Sequence, residues 1–207
     1  VDWYLVALKH LDVPVHQDFA WLPERPEIAA DVKRKWLADS QQTAGSNPPS
    51  AIRHPQWVTL QPGARWDNKR WPATHFAELV RQTAAPFPET RFAILGSADD
   101  KPLAEIIGRA APDRCLNLCG QTSLPEMIEW VRLGVLMVTN DTGPMHVAAA
   151  LGKPMVALFG PTEPRRTGPY GQLGNWRRSD RPGVPGLSSR CTYARPNECL
   201  KAISPAV

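Results

Sequence analysis

From residue 57 onward, short apolar runs alternate with longer stretches of helical spacing. The runs at 57–60, 91–95, 114–118, 134–138 and 155–159 are mostly apolar and bounded by turn residues. Runs of this length and composition predict strands buried on both faces. The stretches at 72–84, 100–110, 123–132 and 144–151 repeat their apolar residues at the spacing of a helix. Regular alternation of the two predicts an α/β chain, a Rossmann-like parallel sheet with helices on both faces. Upstream, 1–11 has helical spacing, and 26–38 reads as a second helix. In that second helix Glu27 and Asp31 come early and Lys33, Arg34 and Lys35 come late, which matches the helix dipole. Residues 41–55 have the composition of a linker. The last forty residues are loop-rich, with a short helix expected near 198–203. The pattern divides the chain at 1–22, 23–55 and 56–207.

Composition narrows the class. The 207 residues are 43% hydrophobic and 21% charged, as in a soluble globular protein with one good core. The 22 prolines add loops to that picture. A formal charge of +4 suits an anionic small ligand or an anionic membrane surface. No nucleic acid is expected as a partner, because Lys and Arg are dispersed and no basic run of five occurs. No apolar stretch reaches the roughly 20 residues that a membrane span needs. Cys115, Cys119, Cys191 and Cys199 form no CxxC pair, so reduced thiols and a cytosolic setting are the working expectation, with no metal site assigned. The chain opens without Met inside an apparent helix, as expected of a piece of a longer protein.

In an open parallel sheet, ligands bind at the carboxyl ends of the strands. The segment from Thr139 to Pro154 is the most informative of these ends. Thr139-Asn140-Asp141-Thr142-Gly143 turns the chain after a strand, and Pro144 fits the start of a helix, where its missing N–H costs nothing. Gly152 suits the left-handed position after that helix. A helix start so placed offers unpaired N–H groups and partial positive charge to a phosphate or diphosphate, near Asp141, Thr142, Gly143 and His146. The bland alternative is a plain N-cap followed by close helix–sheet packing. Four other strand ends add to the case. The loop 61–72 holds Gly63, Ala64, Arg65, Lys69 and Arg70, which suit a diphosphate clamp. Asp99 and Asp100 follow the second strand and suit ribose hydroxyls or a helix start. Cys119-Gly120-Gln121-Thr122 follows the third and suits a base edge. Gly160-Pro161-Thr162-Glu163 follows the last. Their convergence on one sheet edge points to a nucleotide-diphosphate site.

These residues also resemble a known family. Asn140-Asp141-Thr142-Gly143-Pro144-Met145-His146 through Gly152-Lys153-Pro154, then Phe159-Gly160-Pro161-Thr162, closely resembles the signature of glycosyltransferase family 9, the ADP-heptose:lipopolysaccharide heptosyltransferases. Lys69-Arg70-Trp71-Pro72, Leu118-Cys119-Gly120-Gln121-Thr122-Ser123-Leu124 and Cys199-Leu200-Lys201-Ala202-Ile203-Ser204-Pro205 resemble three further segments of it. The resemblance implies the C-terminal half of a glycosyltransferase B fold. On that reading 1–22 is the tail of a mostly absent first domain and 56–207 is the nucleotide-sugar-binding domain. It implies that Lys69 holds the donor diphosphate and that Thr142 and Gly143 give N–H groups to it. Asp141 and His146 would shape the pocket, with Ala64 and Arg65 on its loop. Asp99 or Asp100 would meet the ribose, and the turn at Gly120 and Thr122 would lie by the adenine. Lys69 and Asp141 are the catalytic candidates, and the general base is expected in the absent domain. The implied partners are ADP-heptose as donor and a lipid A–core oligosaccharide as acceptor, with peripheral contact to the inner face of the inner membrane. No cofactor is assigned. A divalent metal stays open, since Val184-Pro185-Gly186-Leu187 replaces part of a Cys-rich cluster and leaves Cys191 and Cys199. Two alternatives stand beside this: a non-catalytic nucleotide-binding module, and a glycosyltransferase using another nucleotide sugar. The Trp71-Pro72 loop and the Phe159-Gly160-Pro161-Thr162 turn argue against an epimerase of similar fold.

Overall fold

The computed structural model describes residues 2–14, 22–43, 56–172, 174, 176–178 and 197–205, with backbone only at 2–5 and 37–43. The expected 41–55 linker beyond Thr43, and Cys191, lie outside the described residues.

Six strands form one parallel sheet: β1 (Gln56–Gln61), β2 (Thr90–Ile94), β3 (Cys115–Asn117), β4 (Leu136–Asn140), β5 (Met155–Phe159) and β6 (Trp176–Arg178). Their order across the sheet is β3-β2-β1-β4-β5-β6. The chain builds outward from β1 to β3 and then returns to the other side of β1. The register pairs Val58 with both Phe92 and Leu136. The reversal falls between β1 and β4, and the crevice beyond their carboxyl ends is where such sheets bind ligands.

Alternate residues of each strand enter opposite cores, as the pleat dictates. Val58, Leu60, Phe92, Ile94, Val138 and Leu158 face one layer, with Phe76 and Val80 of α3 (Ala73–Ala84) and Ile107 of α4 (Lys101–Gly108). Trp57, Ala93, Leu95, Met137, Ala157 and Phe159 face the other, with Trp130 of α5 (Leu124–Leu133) and Met145 of α6 (Gly143–Ala150). Trp57 and Trp130 meet edge to face at 5.5 Å. Both faces are therefore covered, as the apolar runs predict. Between them, α1 (Asp2–His10) and α2 (Pro26–Thr43) make up the described upstream helices. α2 sets Val32 into the second core, and its Lys35 Nζ reaches Glu126 Oε1 of α5 at 2.8 Å.

Several elements depart from the sequence expectation, and α2 runs past 38 to Thr43. β6 is an added strand. The single turn α7 (Pro164–Thr167) is an added helix. α8 (Glu198–Lys201) is shorter than 198–203. α8 inserts Cys199 and Leu200 into the first core.

α5 starts at the site edge on a capping box, in which Ser123 and Glu126 exchange hydrogen bonds. The Glu126 carboxyl is held down from 4.5 to about 2, first by the Lys35 ammonium and then by the Ser123 N–H and hydroxyl. A depressed carboxylate stabilises the fold above its unfolded value and ceases to do so as pH falls. This contribution fades between pH 4.5 and about 2. Glu126→Gln should cost about 1 kcal/mol at neutral pH. It should cost less at pH 3, when thermal unfolding of the two proteins is compared.

Candidate functional site

The loop after β1 is held from several sides. Asn140, wholly buried at the end of β4, accepts from the Trp71 N–H at 3.0 Å and donates to the Pro62 carbonyl at 2.7 Å. Trp71 stacks edge to face on Phe76 at 4.9 Å, and its indole N–H donates to the Ile203 carbonyl at 3.0 Å. Asn197 donates to the Asp67 carbonyl at 3.0 Å. The segment carrying Asn197 and Ile203 thus braces the loop, whose middle is a 3-10 turn, Asp67–Lys69.

From that braced turn Lys69 Nζ reaches Asp141 Oδ2 at 2.6 Å. Thr162, on the loop after β5, donates its hydroxyl to the same oxygen at 2.6 Å. The Lys69 side chain keeps 19% exposure and that of Asp141 only 6%. Next to them α6 opens, with Thr142 as extended N-cap whose side chain makes no capping bond. Gly143 is exposed, and a Cβ built on it meets nothing within 4 Å. The start of α6, with its partial positive charge, is therefore open to an anion. The helix starts one residue earlier than the Pro144 expectation, with Pro144 in its first turn.

Beside this point lies a cleft of about 190 Å³ between the strand ends and the starts of α5 and α6. Gln61, Ser97 and Thr122 give it polar walls, and Leu124, Met127 and Pro144 give it apolar ones. The arrangement is a cation and a helix start beside a cleft with both polar and apolar walls. Chemically it suits a nucleotide whose diphosphate meets Lys69 and whose base lies in the cleft.

Residues 10–195 match the family model of glycosyltransferase family 9 (heptosyltransferase). The chain belongs to glycosyltransferase family 9. It is 37% identical over 165 residues to lipooligosaccharide heptosyltransferase 2 of Haemophilus influenzae, covering 76% of this chain and 43% of that one. Its fold matches the structure of Escherichia coli ADP-heptose LPS heptosyltransferase II with a TM-score of 0.69 and 28% identity, over 94% of this chain and 53% of that one. It also matches the fold of E. coli heptosyltransferase WaaC, solved with ADP, with a TM-score of 0.58 and 21% identity, over 96% of this chain and 50% of that one. The chain thus spans about half the length of the relatives it matches. Its Rossmann-like parallel sheet is one half of the family's glycosyltransferase B fold.

Within this family-9 domain the remaining site candidates fall into distinct places. Ala64 is buried, and its carbonyl accepts from Arg70 Nε at 2.8 Å. Arg70 also pairs with Asp67 at 3.0 Å, so it clips its own loop together. Arg65 is exposed and lies over the Trp66 ring at 5.4 Å. Of the acidic pair left open, Asp99 is exposed and Asp100 is buried. Asp100 Oδ2 accepts from the Ser97 N–H at 2.9 Å and from its hydroxyl at 2.8 Å. Gly63 packs so close that a Cβ there would lie 2.4 Å from Asp100 Oδ2. Asp100 therefore joins the loops after β1 and β2, and Asp99 is the carboxylate that faces solvent. Gly120 needs its glycine: its φ is +69°, and a Cβ would come within 2.8 Å of Ala98. Thr122 lines the cleft, and His146 is exposed in the first turn of α6.

Sequence reasoning assigned no role to Asn140, Gln61 or Thr162. Asn140 and Thr162 stand in the quoted motifs, but their hydrogen bonds cross between strands and leave no spacing signal. Cys115 and Cys119 are thiols pushed up to about 12 by burial, which keeps both protonated and inert at neutral pH. Among the described residues no group of three His, Cys, Asp or Glu is placed to hold a metal. Among them, too, no helix is long and apolar enough to cross a membrane.

Proposed function

We propose that this chain is the donor-binding part of a heptosyltransferase that moves a heptose from ADP-heptose to a lipid A–core oligosaccharide. The observation that carries the reading is the meeting of Lys69, Asp141 and the open start of α6 beyond β1 and β4. An acceptor hydroxyl attacks the anomeric carbon, the bond from that carbon to the diphosphate oxygen breaks, and ADP leaves with the electron pair. Negative charge grows on the diphosphate as the bond breaks. Lys69 and the N–H groups at Thr142 and Gly143 lie fixed where they can stabilise that charge without reorganising. Asp141 anchors Lys69, and His146 is exposed in the first turn of α6. Asp99 is assigned to the ribose, and the cleft by Gly120 and Thr122 to the adenine. The acceptor proton goes to a base supplied by the first domain of the whole enzyme. Acting on such an acceptor would bring the enzyme into peripheral contact with the cytoplasmic face of the inner membrane.

Calorimetric titration of the chain with ADP and with UDP tests the reading. Saturable ADP binding, several-fold tighter than UDP binding, is expected. Equal affinity for the two would remove the adenine assignment, and binding of neither would remove the donor-site reading.

A further inference from the structure

Three neighbouring strand ends converge on one oxygen atom. Asp141 follows β4, Lys69 comes from the loop after β1, and Thr162 from the loop after β5. Both donors reach Asp141 Oδ2, each at 2.6 Å. The carboxylate is nearly buried, so its charge depends on these donors instead of water.

We infer that Thr162 is a positioning residue for donor binding, acting on the diphosphate through Asp141 and Lys69. This rests on the donor-site reading above. The Thr162 hydroxyl has a single proton, and it is spent on Asp141. Thr162 therefore cannot donate to a phosphate without releasing Asp141. The Lys69 ammonium has three protons, and Asp141 takes one, which leaves two for phosphate oxygens. Without Thr162, Lys69 is the one remaining side-chain donor to Oδ2 among the described residues. The carboxylate then turns more freely about its last bond, and more of its charge faces an incoming diphosphate. Thr162 opposes both effects. It fixes the rotamer, so that Lys69 points in one direction, and it shares the negative charge beside an anionic ligand.

The test is ADP titration of the unsubstituted chain, T162V, T162S, D141A and the D141A/T162V double variant. T162V keeps the shape and loses the hydroxyl. Its ADP dissociation constant should rise about tenfold, the scale for one hydrogen bond to a charged group. T162S keeps the hydroxyl and should stay within about twofold of the unsubstituted chain. In the D141A background, T162V should have no further effect, because the group it acts through is gone. If the branched Val prevents folding, T162A replaces it and is held to the same outcomes. ADP binding by T162V equal to that of the unsubstituted chain overturns the inference, as do T162V and D141A effects that simply multiply. Absence of ADP binding by the unsubstituted chain overturns the donor-site reading, and the inference with it.

Discussion

Lys69→Ala lowers ADP affinity by about 10- to 100-fold, the expected result of losing one charge-assisted hydrogen bond worth roughly 1.5–3 kcal/mol. A second effect comes from the pair itself. Asp141 is only 6% exposed and loses its cationic partner. A buried charge left unpaired costs several kcal/mol, and Thr162 still satisfies part of this one. The chain is therefore expected to lose about 2–3 kcal/mol of stability as well. Titration and denaturant unfolding separate the two effects. Lys69→Met would keep the aliphatic stem but not the charge, and should lose ADP binding just as far. Unchanged affinity in both variants would take Lys69 out of the diphosphate site.

Asn140→Ala has the largest expected effect on stability. The side chain is wholly buried and uses both ends of its amide, accepting from Trp71 and donating to Pro62. Removing it strands a buried N–H and a buried carbonyl, each costing roughly 1–3 kcal/mol. A total near 3 kcal/mol is expected, a large part of what holds a domain of this size folded. Asn140→Asp is no gentler, because it offers no donor to Pro62 and puts a charge where there is no water. Both variants free the loop that carries Lys69, so ADP binding should weaken in the fraction that remains folded. An unfolding free energy within about 0.5 kcal/mol of the unsubstituted chain would show that the loop is held some other way.

The central strands were legible because a strand buried on both faces is mostly apolar, with Thr59, Thr139 and Asn140 as buried polar exceptions. That excludes the alternation which confuses shorter elements. β6 was not legible for the opposite reason. Trp176, Arg177 and Arg178 are three residues at a sheet edge, with one apolar side chain among them. The site was legible as a set of loops, since a parallel sheet brings all its carboxyl ends to one side. The roles within it were less so. Lys69 and Asp141 are 72 positions apart, and no local pattern reveals that their side chains meet. Asp100 shows the same limit. Its sequence position suits a ribose ligand as well as a helix start, and only its burial beneath Gly63 separates the two.

Among the described residues β1 is the first strand, and yet it lies in the middle of the sheet. On one side it pairs with β2 soon after it is made. On the other it waits for β4, and the Thr59 hydroxyl meets the Leu136 carbonyl across 77 positions of chain. A ribosome that has released β1, β2 and β3 has therefore delivered a half-sheet in which β1 has a bare edge. Such an edge accepts any passing strand, including one from a neighbouring nascent chain. The same edge later becomes the floor of the ligand crevice. The order of synthesis thus leaves the seam beneath the future binding site open until β4 is made, and exposed to such pairing until then.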